Sequence, residues 1–323
     1  MIKQSLISCA LAGSMLFGSM AVQAYEFERP VRIVVPFAPG GTSDILARLI
    51  APELSTAIGQ PVIVENKPGA SGNIGADYVA KVNADGHTLL LMDVAALATA
   101  PHLYSNLSYD PVNDLAPVTM VSFSPYIMAV NPKLGVSSVE EMVALGKSDP
   151  RALSAANSGI GGANHIASVL VGDHLDLDWS IIPYRGGSDA SRAVVSGEST
   201  VLINGSTATK PFVLSEQLTA VAVTGPSRLT DLPDVPTFTE LDMPGENMGS
   251  WQGILTTGGS PADAIERLNA ELQKIIESED MQERIAGQGA VAANGSSQEM
   301  IDWLADNHEN MGVVIEQYGI KIE

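Results

Sequence analysis

The chain has 323 residues, with 17 Lys plus Arg against 37 Asp plus Glu, a formal net charge of −20 at pH 7. So acidic a protein is excluded as a binder of nucleic acid or of an anionic membrane surface. Its single cysteine, Cys9, excludes an intrachain disulfide framework.

Met1-Ile2-Lys3 followed by an apolar run from Leu6 to Val22 and then Gln23-Ala24 has the n-region, h-region and cleavage-site pattern of a secretory signal, cut after Ala24. Ser5, Ser8, Gly13, Ser14, Gly18 and Ser19 keep it below the hydrophobicity of a good spanning helix. Cleavage removes Cys9, and it removes Lys3, which takes the formal charge to −21. The remaining 299 or so residues suffice for two lobes.

Short apolar runs then alternate with helical patterns. The strands expected are 31–37, 62–66, 87–93, 126–131, 180–185, 201–205 and 219–224, most continuously apolar as buried parallel strands should be. A helix is expected over 44–58, with Ile45, Leu46, Leu49, Ile50, Leu54 and Ile58 on one face and Gly59 and Pro61 as its stop. Pro52 inside it removes the bond to the Arg48 carbonyl and should bend it. Residues 138–147 start with Ser138 as N-cap and Glu141 three on, a capping box. One long helix is expected over 261–286, with Pro261 in its first turn, and a last one over 298–318. Asn73 should cap the helix that follows it. The order predicts a mostly parallel sheet flanked by helices. The segment 122–132, between Pro125 and Pro132, is the candidate crossing between lobes.

Enzyme signatures are missing from the sequence. There is no G-x-S-x-G elbow, no H-E-x-x-H pair and no phosphate-loop lysine. The five histidines are scattered without acidic partners at metal-ligand spacing, so no metal and no cofactor are expected. Ser43, Ser158 and Ser206 have no base near them in sequence. What remains is two glycine-rich turns at helix mouths, Pro39-Gly40-Gly41-Thr42-Ser43-Asp44 and Asn157-Ser158-Gly159-Ile160-Gly161-Gly162-Ala163-Asn164-His165. Glycine lets backbone approach a ligand closely. A helix start carries unpaired N–H groups and partial positive charge. Together they hold an anion with no lysine or arginine, although the same turns also serve as ordinary strand-to-helix connections. A helix terminus contributes about 0.3–2 kcal/mol to an anion, each bond to a charged group about 1.5–3 kcal/mol, and micromolar affinity needs about 8 kcal/mol. Two turns closing on one guest reach that figure where one does not.

These residues resemble the substrate-binding proteins of tripartite tricarboxylate transporters, the TctC-like or Bug family. The stretches that carry the resemblance are "RPVRIVVPFAPGGTSDILARL", "GQPVIVENKPGASGNIGADYVAK", "ADGHTLLLMD", "LSYDPVNDLAPVTMV", "NSGIGGANH", "IPYRGGSDA", "LPDVPTFTELDMPG" and "ERLNAELQKII". The resemblance implies a two-lobed type II periplasmic binding fold, with residues 25–125 and 250–323 in one lobe, 126–249 in the other and a second crossing near 245–255. It implies a periplasmic receptor, expected to be monomeric, that closes on a small organic acid and delivers it to membrane transporter subunits. A sensor-kinase partner is the alternative, and a periplasmic hydrolase the least supported reading. The guest would be a di- or tricarboxylate, an aromatic acid or an amino acid. The implied contacts are Phe37 to Asp44, Asn157 to His165, the loop Asp93 to Ala96, and Asn204, Gly205 and Ser206. Tyr184 is a further candidate, beside Arg185, which either faces a distal carboxylate or is solvated. Asp44 either pairs with Arg48 on the helix surface or serves the ligand. Trp251 is expected to pack between lobes. The third loop of the family is often Ser/Thr/Gly-rich, and here it is Asp93-Val94-Ala95-Ala96. An ionised Asp93 would repel an anion unless it points away or pairs with an amino group on the guest.

Overall fold

The computed structural model describes residues 25–245 and 248–321; the expected export segment lies outside them. The first sheet is built on β1 (Val31–Val35), which pairs in parallel with β2 (Val62–Asn66) on one side and β3 (Thr88–Asp93) on the other. Two long strands follow in space. β4 (Leu115–Val130) and β9 (Gly249–Thr257) run antiparallel to each other, and β9 also pairs antiparallel with β3. At Pro125/Tyr126 β4 changes partners. Its first part pairs β9 and the two-residue β10 (Val291–Ala292), and its last five residues pair β7 (Val201–Gly205) and β8 (Thr219–Val223). Beyond β7 lie β5 (Ser154–Asn157) and β6 (Ser180–Pro183), both parallel. The strands between the two parallel triplets are therefore antiparallel, and β4 is continuous through both sheets.

Each sheet is covered on both faces, as continuously apolar strands require. Side chains alternate: Ile33, Val35, Leu89 and Leu91 pack under α1 (Thr42–Ile58), α8 (Ala262–Glu277) and α9 (Glu279–Gly287). Val34, Leu90 and Met92 point the other way, onto α2 (Asn73–Lys81), α3 (Ala95–Leu103) and α10 (Ser297–Gln317). In the second sheet Met128, Val130 and Ile203 pack under α4 (Val139–Ser148) and α5 (Ala163–His174). Ile127, Ala129 and Leu202 face α6 (Gly187–Ser196) and the neighbourhood of α7 (Ser206–Leu214). The two-lobed α/β architecture expected from the sequence is present.

Several local readings are corrected. The helix expected over 261–286 is two helices: Ser278 takes extended backbone (φ −64°, ψ 140°), and its hydroxyl accepts the Met281 N–H at 3.3 Å, capping α9. Pro261 is the N-cap of α8 and not a first-turn residue. Asn73 does not cap α2, whose N-cap is Gly72; its amide instead donates to the Ala70 carbonyl (2.8 Å) and accepts from the Tyr109 hydroxyl (2.8 Å). At α4 only half of the capping box forms. Ser138 accepts from the Glu141 N–H, but the Glu141 carboxylate takes the Ser137 N–H at 2.7 Å, one residue further back. The reciprocal box is found at Ser296 and Glu299. α1 runs unbroken through Pro52. Trp251 packs against Phe123 and Trp303, with ring centroids 4.6 and 5.6 Å away.

Candidate functional site

The two sheets meet over a small inner chamber of about 40 Å3. The first sheet supplies Phe37, then Gly41, Thr42 and Ser43 at the start of α1, and Asp93 at the end of β3. The second supplies Ser158, Asn164 near the start of α5, Gly187 at the start of α6, and Asn204 at the end of β7. The crossing strands close the floor with Tyr126, Ser250 and Gln252. Phe37 and Ser158 are shared with an outer cavity of about 820 Å3, along whose wall lie Ser71, Tyr104, Tyr184, Arg185 and Asp189.

Three helices that start at this chamber, α1, α5 and α6, have Gly41, Gly162 and Gly186 as N-caps with no side-chain cap, and α7, just after Asn204, follows Gly205 in the same way. α3, which starts beside Asp93, has Val94 as its N-cap. Away from it, α4, α9 and α10 are each capped by a serine hydroxyl, while α2 and α8, with Gly72 and Pro261 as N-caps, have no side-chain cap. A bare start leaves its first N–H groups free for a guest. No Lys, Arg or His lines the inner chamber among the described residues.

Hydrogen bonds hold the turns in shape. Asp44 is buried behind the first turn, where its carboxylate accepts from the Gly40 N–H (2.9 Å), Asn66 Nδ2 (3.0 Å) and Arg48. Burial works to raise its pKa, but these donors hold it below the usual carboxylate range. In the second turn Asn157 Oδ1 accepts from the Gly159 N–H (2.8 Å), Asn164 Oδ1 accepts from the Ser158 hydroxyl (2.7 Å), and Asn164 Nδ2 reaches Asn204 Oδ1 at 3.5 Å. The His165 ring accepts the Gly161 N–H at 3.3 Å, and burial lowers its pKa, which favours the neutral ring. Asp93 is buried too. Ser250 Oγ–H (2.9 Å) and the Ala95 N–H (3.2 Å) donate to it, but burial outweighs them and pushes its carboxyl up to about 7.

Of the residues read from the sequence, Phe37, Gly41, Thr42, Ser43, Asp93, Ser158, Asn164 and Asn204 come together at the inner chamber. Tyr184 lines the outer cavity, with its hydroxyl beside Glu198 and Ser199. Pro39 and Gly40 are exposed at the rim. Asp44, Ala95 and His165 spend their bonds inside the protein, as does Asn157 Oδ1, while Asn157 Nδ2 is buried without a partner. Gly161 and Gly162 shape the turn, Gly161 with φ +77°, and Ala163 is half-buried where α5 begins. Gly205 sits where a Cβ would lie 2.8 Å from Thr42 Oγ1, and the Ser206 hydroxyl donates to the Gly289 carbonyl at 2.6 Å. Arg185 is paired with Asp189 at 3.0 Å and largely exposed. Sequence reasoning missed Tyr126, Gly187, Ser250 and Gln252. For Gly187 a signal existed: Gly186-Gly187-Ser188 repeats the pattern of Gly40-Gly41-Thr42 and Gly161-Gly162-Ala163.

The family model described as "tripartite tricarboxylate transporter family receptor" matches residues 46–320. Among curated relatives, the protein BugT of Bordetella pertussis is 32% identical over 296 residues, covering 91% of each chain. Among solved structures, a Rhodopseudomonas palustris protein with adipate superimposes with a TM-score of 0.87 at 31% identity, covering 91% of this chain and 99% of that one. MatC from the same organism, with bound malate, gives 0.83 at 27% identity, covering 89% and 99%.

Proposed function

This chain belongs to the tripartite tricarboxylate transporter receptor family, and from that premise we propose that it captures a small organic carboxylate between its two sheets and hands it to a tripartite tricarboxylate-type membrane transporter. It is a solute-binding protein of the periplasmic binding type and not an enzyme, as are its structural neighbours. The lobes we infer are residues 25–125 with 250–321, and 126–245, joined through β4 and the approach to β9. Residues 1–24 would serve export. Among the described residues no helix is long and apolar enough to cross a membrane.

The observation that carries the carboxylate reading is the set of glycine-capped helix starts around a chamber without a cationic side chain. Three or four such starts, with the hydroxyl and amide groups of Thr42, Ser43, Ser158, Asn164 and Asn204, give enough bonds of about 1.5–3 kcal/mol to offset association entropy at micromolar affinity. Adipate in one structural neighbour and malate in another support the ligand class. A thermal-shift screen of organic acids, followed by calorimetry, tests it. At least one carboxylate should raise the melting temperature in proportion to its affinity. Stabilisation by uncharged ligands alone would end the proposal.

A further inference from the structure

A second large cavity, of about 950 Å3, lies between α3, the loop that follows it and α10. α3 supplies Leu97 and Pro101, the loop Leu107 and Val112, and α10 Ile301 and Leu304. Val112 is 81% exposed and Ile301 42%, so large apolar side chains stand in water there. Ile301, Leu304 and Ala305 fall at i, i+3 and i+4, one stripe of α10. The stripe beside it is Asp302, Asp306 and Glu309, all exposed. Glu309 and the exposed Asp110 stand at the groove itself. α10 carries no Lys or Arg along its length, and none lines the groove among the described residues.

An apolar floor inside an acidic rim selects its occupant. A second copy of this chain would bring the same acidic rim against it, and an anionic lipid surface would be repelled as well. A segment with apolar side chains on one face and Lys or Arg on its flanks meets both the floor and the rim. The groove's walls also depend on the cleft. Thr99 on α3 donates to the Gly161 carbonyl at 2.9 Å in the turn before α5. At its far end α10 packs Val314 and Ile315 against Ile166 and Leu170 of α5, and the Tyr318 hydroxyl just beyond donates to Asp173 Oδ2 at 3.1 Å. Tyr104 lines both this groove and the outer ligand cavity. Separation of the sheets would loosen both walls at once. We propose that the groove docks a basic amphipathic segment of the membrane transporter, and that it does so best when a guest holds the sheets together. This rests on the carboxylate-receptor reading and adds to it the surface by which the loaded receptor is recognised.

Two pairs of substitutions test this by different routes: V112E with I301E charges the floor, and D302K with E309K reverses the rim. In calorimetry each double variant should bind the best carboxylate from the screen within about twofold of wild type, since neither touches the inner chamber. Expressed as the sole copy in the native bacterium, each should cut uptake of that acid to about a tenth or less. E266K with E283K, on α8 and α9 across the first sheet, should leave uptake unchanged. Once Cys9 is cleaved away the chain contains no cysteine, so V112C can carry a benzophenone as its single label. In native membranes that label should cross-link to a transporter subunit, at higher yield with the carboxylate than without it. Full uptake by either groove variant with its carboxylate binding intact overturns the proposal. So does a cross-link to a second copy of this chain or to lipid, or a yield no greater than from the same label on E283C. Wild-type protein that binds no carboxylate ends the receptor reading instead, and calorimetry shows this before any transport is measured.

Discussion

The turn before α5 is held against the first sheet by two hydroxyls. Ser71 donates to the Ile160 carbonyl at 2.6 Å, and Thr99 on α3 donates to the Gly161 carbonyl at 2.9 Å. Ala70 and Ser71 both take left-handed backbone (φ 46° and 54°), a conformation that costs non-glycine residues energy, so Ser71 is presented at some expense. If the sheets separate when the cleft empties, these four groups return to water, and the two bonds contribute only to the closed, ligand-holding form. A neutral hydrogen bond contributes about 0.5–1.5 kcal/mol net. The Thr99 hydroxyl also lies 3.1 Å from the Ala96 carbonyl, which places its share at the low end. Ser71→Ala with Thr99→Val should therefore weaken ligand binding by about 1–2 kcal/mol, roughly five- to thirtyfold. The melting temperature of the ligand-free protein should change little. Calorimetry with the best carboxylate from the screen measures the first, and small-angle scattering with and without it measures closure. Wild-type affinity together with wild-type compaction would refute the idea that these hydroxyls latch the closed form.

Asp93 predicts an unusual pH dependence in the ligand-free protein. Its carboxyl is near 3.8 when unfolded and about 7 when folded. The native state keeps a proton that the unfolded chain has lost, so this group's stabilisation is complete below pH 4 and is lost as pH rises through 7. The slope is about 1.4 kcal/mol per unit. Between pH 5 and pH 8 the wild type should lose about 2–3 kcal/mol relative to D93N in urea unfolding, and parallel profiles would contradict the burial argument. A Cβ at Gly187 would lie 2.6 Å from Asn204 Oδ1 and 2.8 Å from its Nδ2. Gly187→Ala should displace Asn204, costing about 1–3 kcal/mol of stability and about tenfold in affinity; unaltered affinity in the folded variant would remove Asn204 from the site. Finally, a protein with formal charge −20 repels anions at long range. Association of a dicarboxylate in stopped flow should accelerate as ionic strength rises from about 10 to 150 mM, the reverse of a basic receptor.

Elements with their own local signal were legible. β1, β2 and β3 are branched apolar runs, and α1 is bracketed by Gly41 and Gly59. β5 was not, because Ser154-Ala155-Ala156-Asn157 has no strand composition. Ala155 and Ala156 are fully buried, so their small size serves the close packing of helices on both faces. β9 was hidden for a similar reason: Gly249, Ser250, Gln252 and Gly253 read as loop, yet the strand is fixed by β3 and β4 on its two sides. A Cβ at Gly253 would meet Val94 and Met300 at under 3 Å, a packing reason that no local window contains. The same blindness hid part of the site. Glycine turns advertise themselves, but Tyr126, Ser250 and Gln252 face the chamber only because two strands distant in sequence pair at Pro125/Gly249.

The choice of glycine at the bare helix starts follows from one requirement that a serine would violate. A serine hydroxyl at Gly41 or Gly162 would accept the first-turn N–H groups itself, as Ser138, Ser278 and Ser296 do on helices away from the chamber. The guest would then compete with an internal cap. Bulk alone is no obstacle there: a Cβ on Gly41 would stand 3.5 Å from the Ala38 carbonyl and 3.9 Å from the Ser188 nitrogen, ordinary contact distances. The loss is small, since glycine is only a few tenths of a kcal/mol poorer than serine as an N-cap. Cationic side chains are available nearby but are neutralised by their own partners, Arg48 by Asp44 and Arg185 by Asp189. A free guanidinium would hold the guest from a distance in the open form as well as the closed one. Backbone donors act only at contact, so most of the affinity is gained when the sheets come together. Under the proposed function, closure is then the step that binding would drive, and the closed form is the one a transporter would recognise.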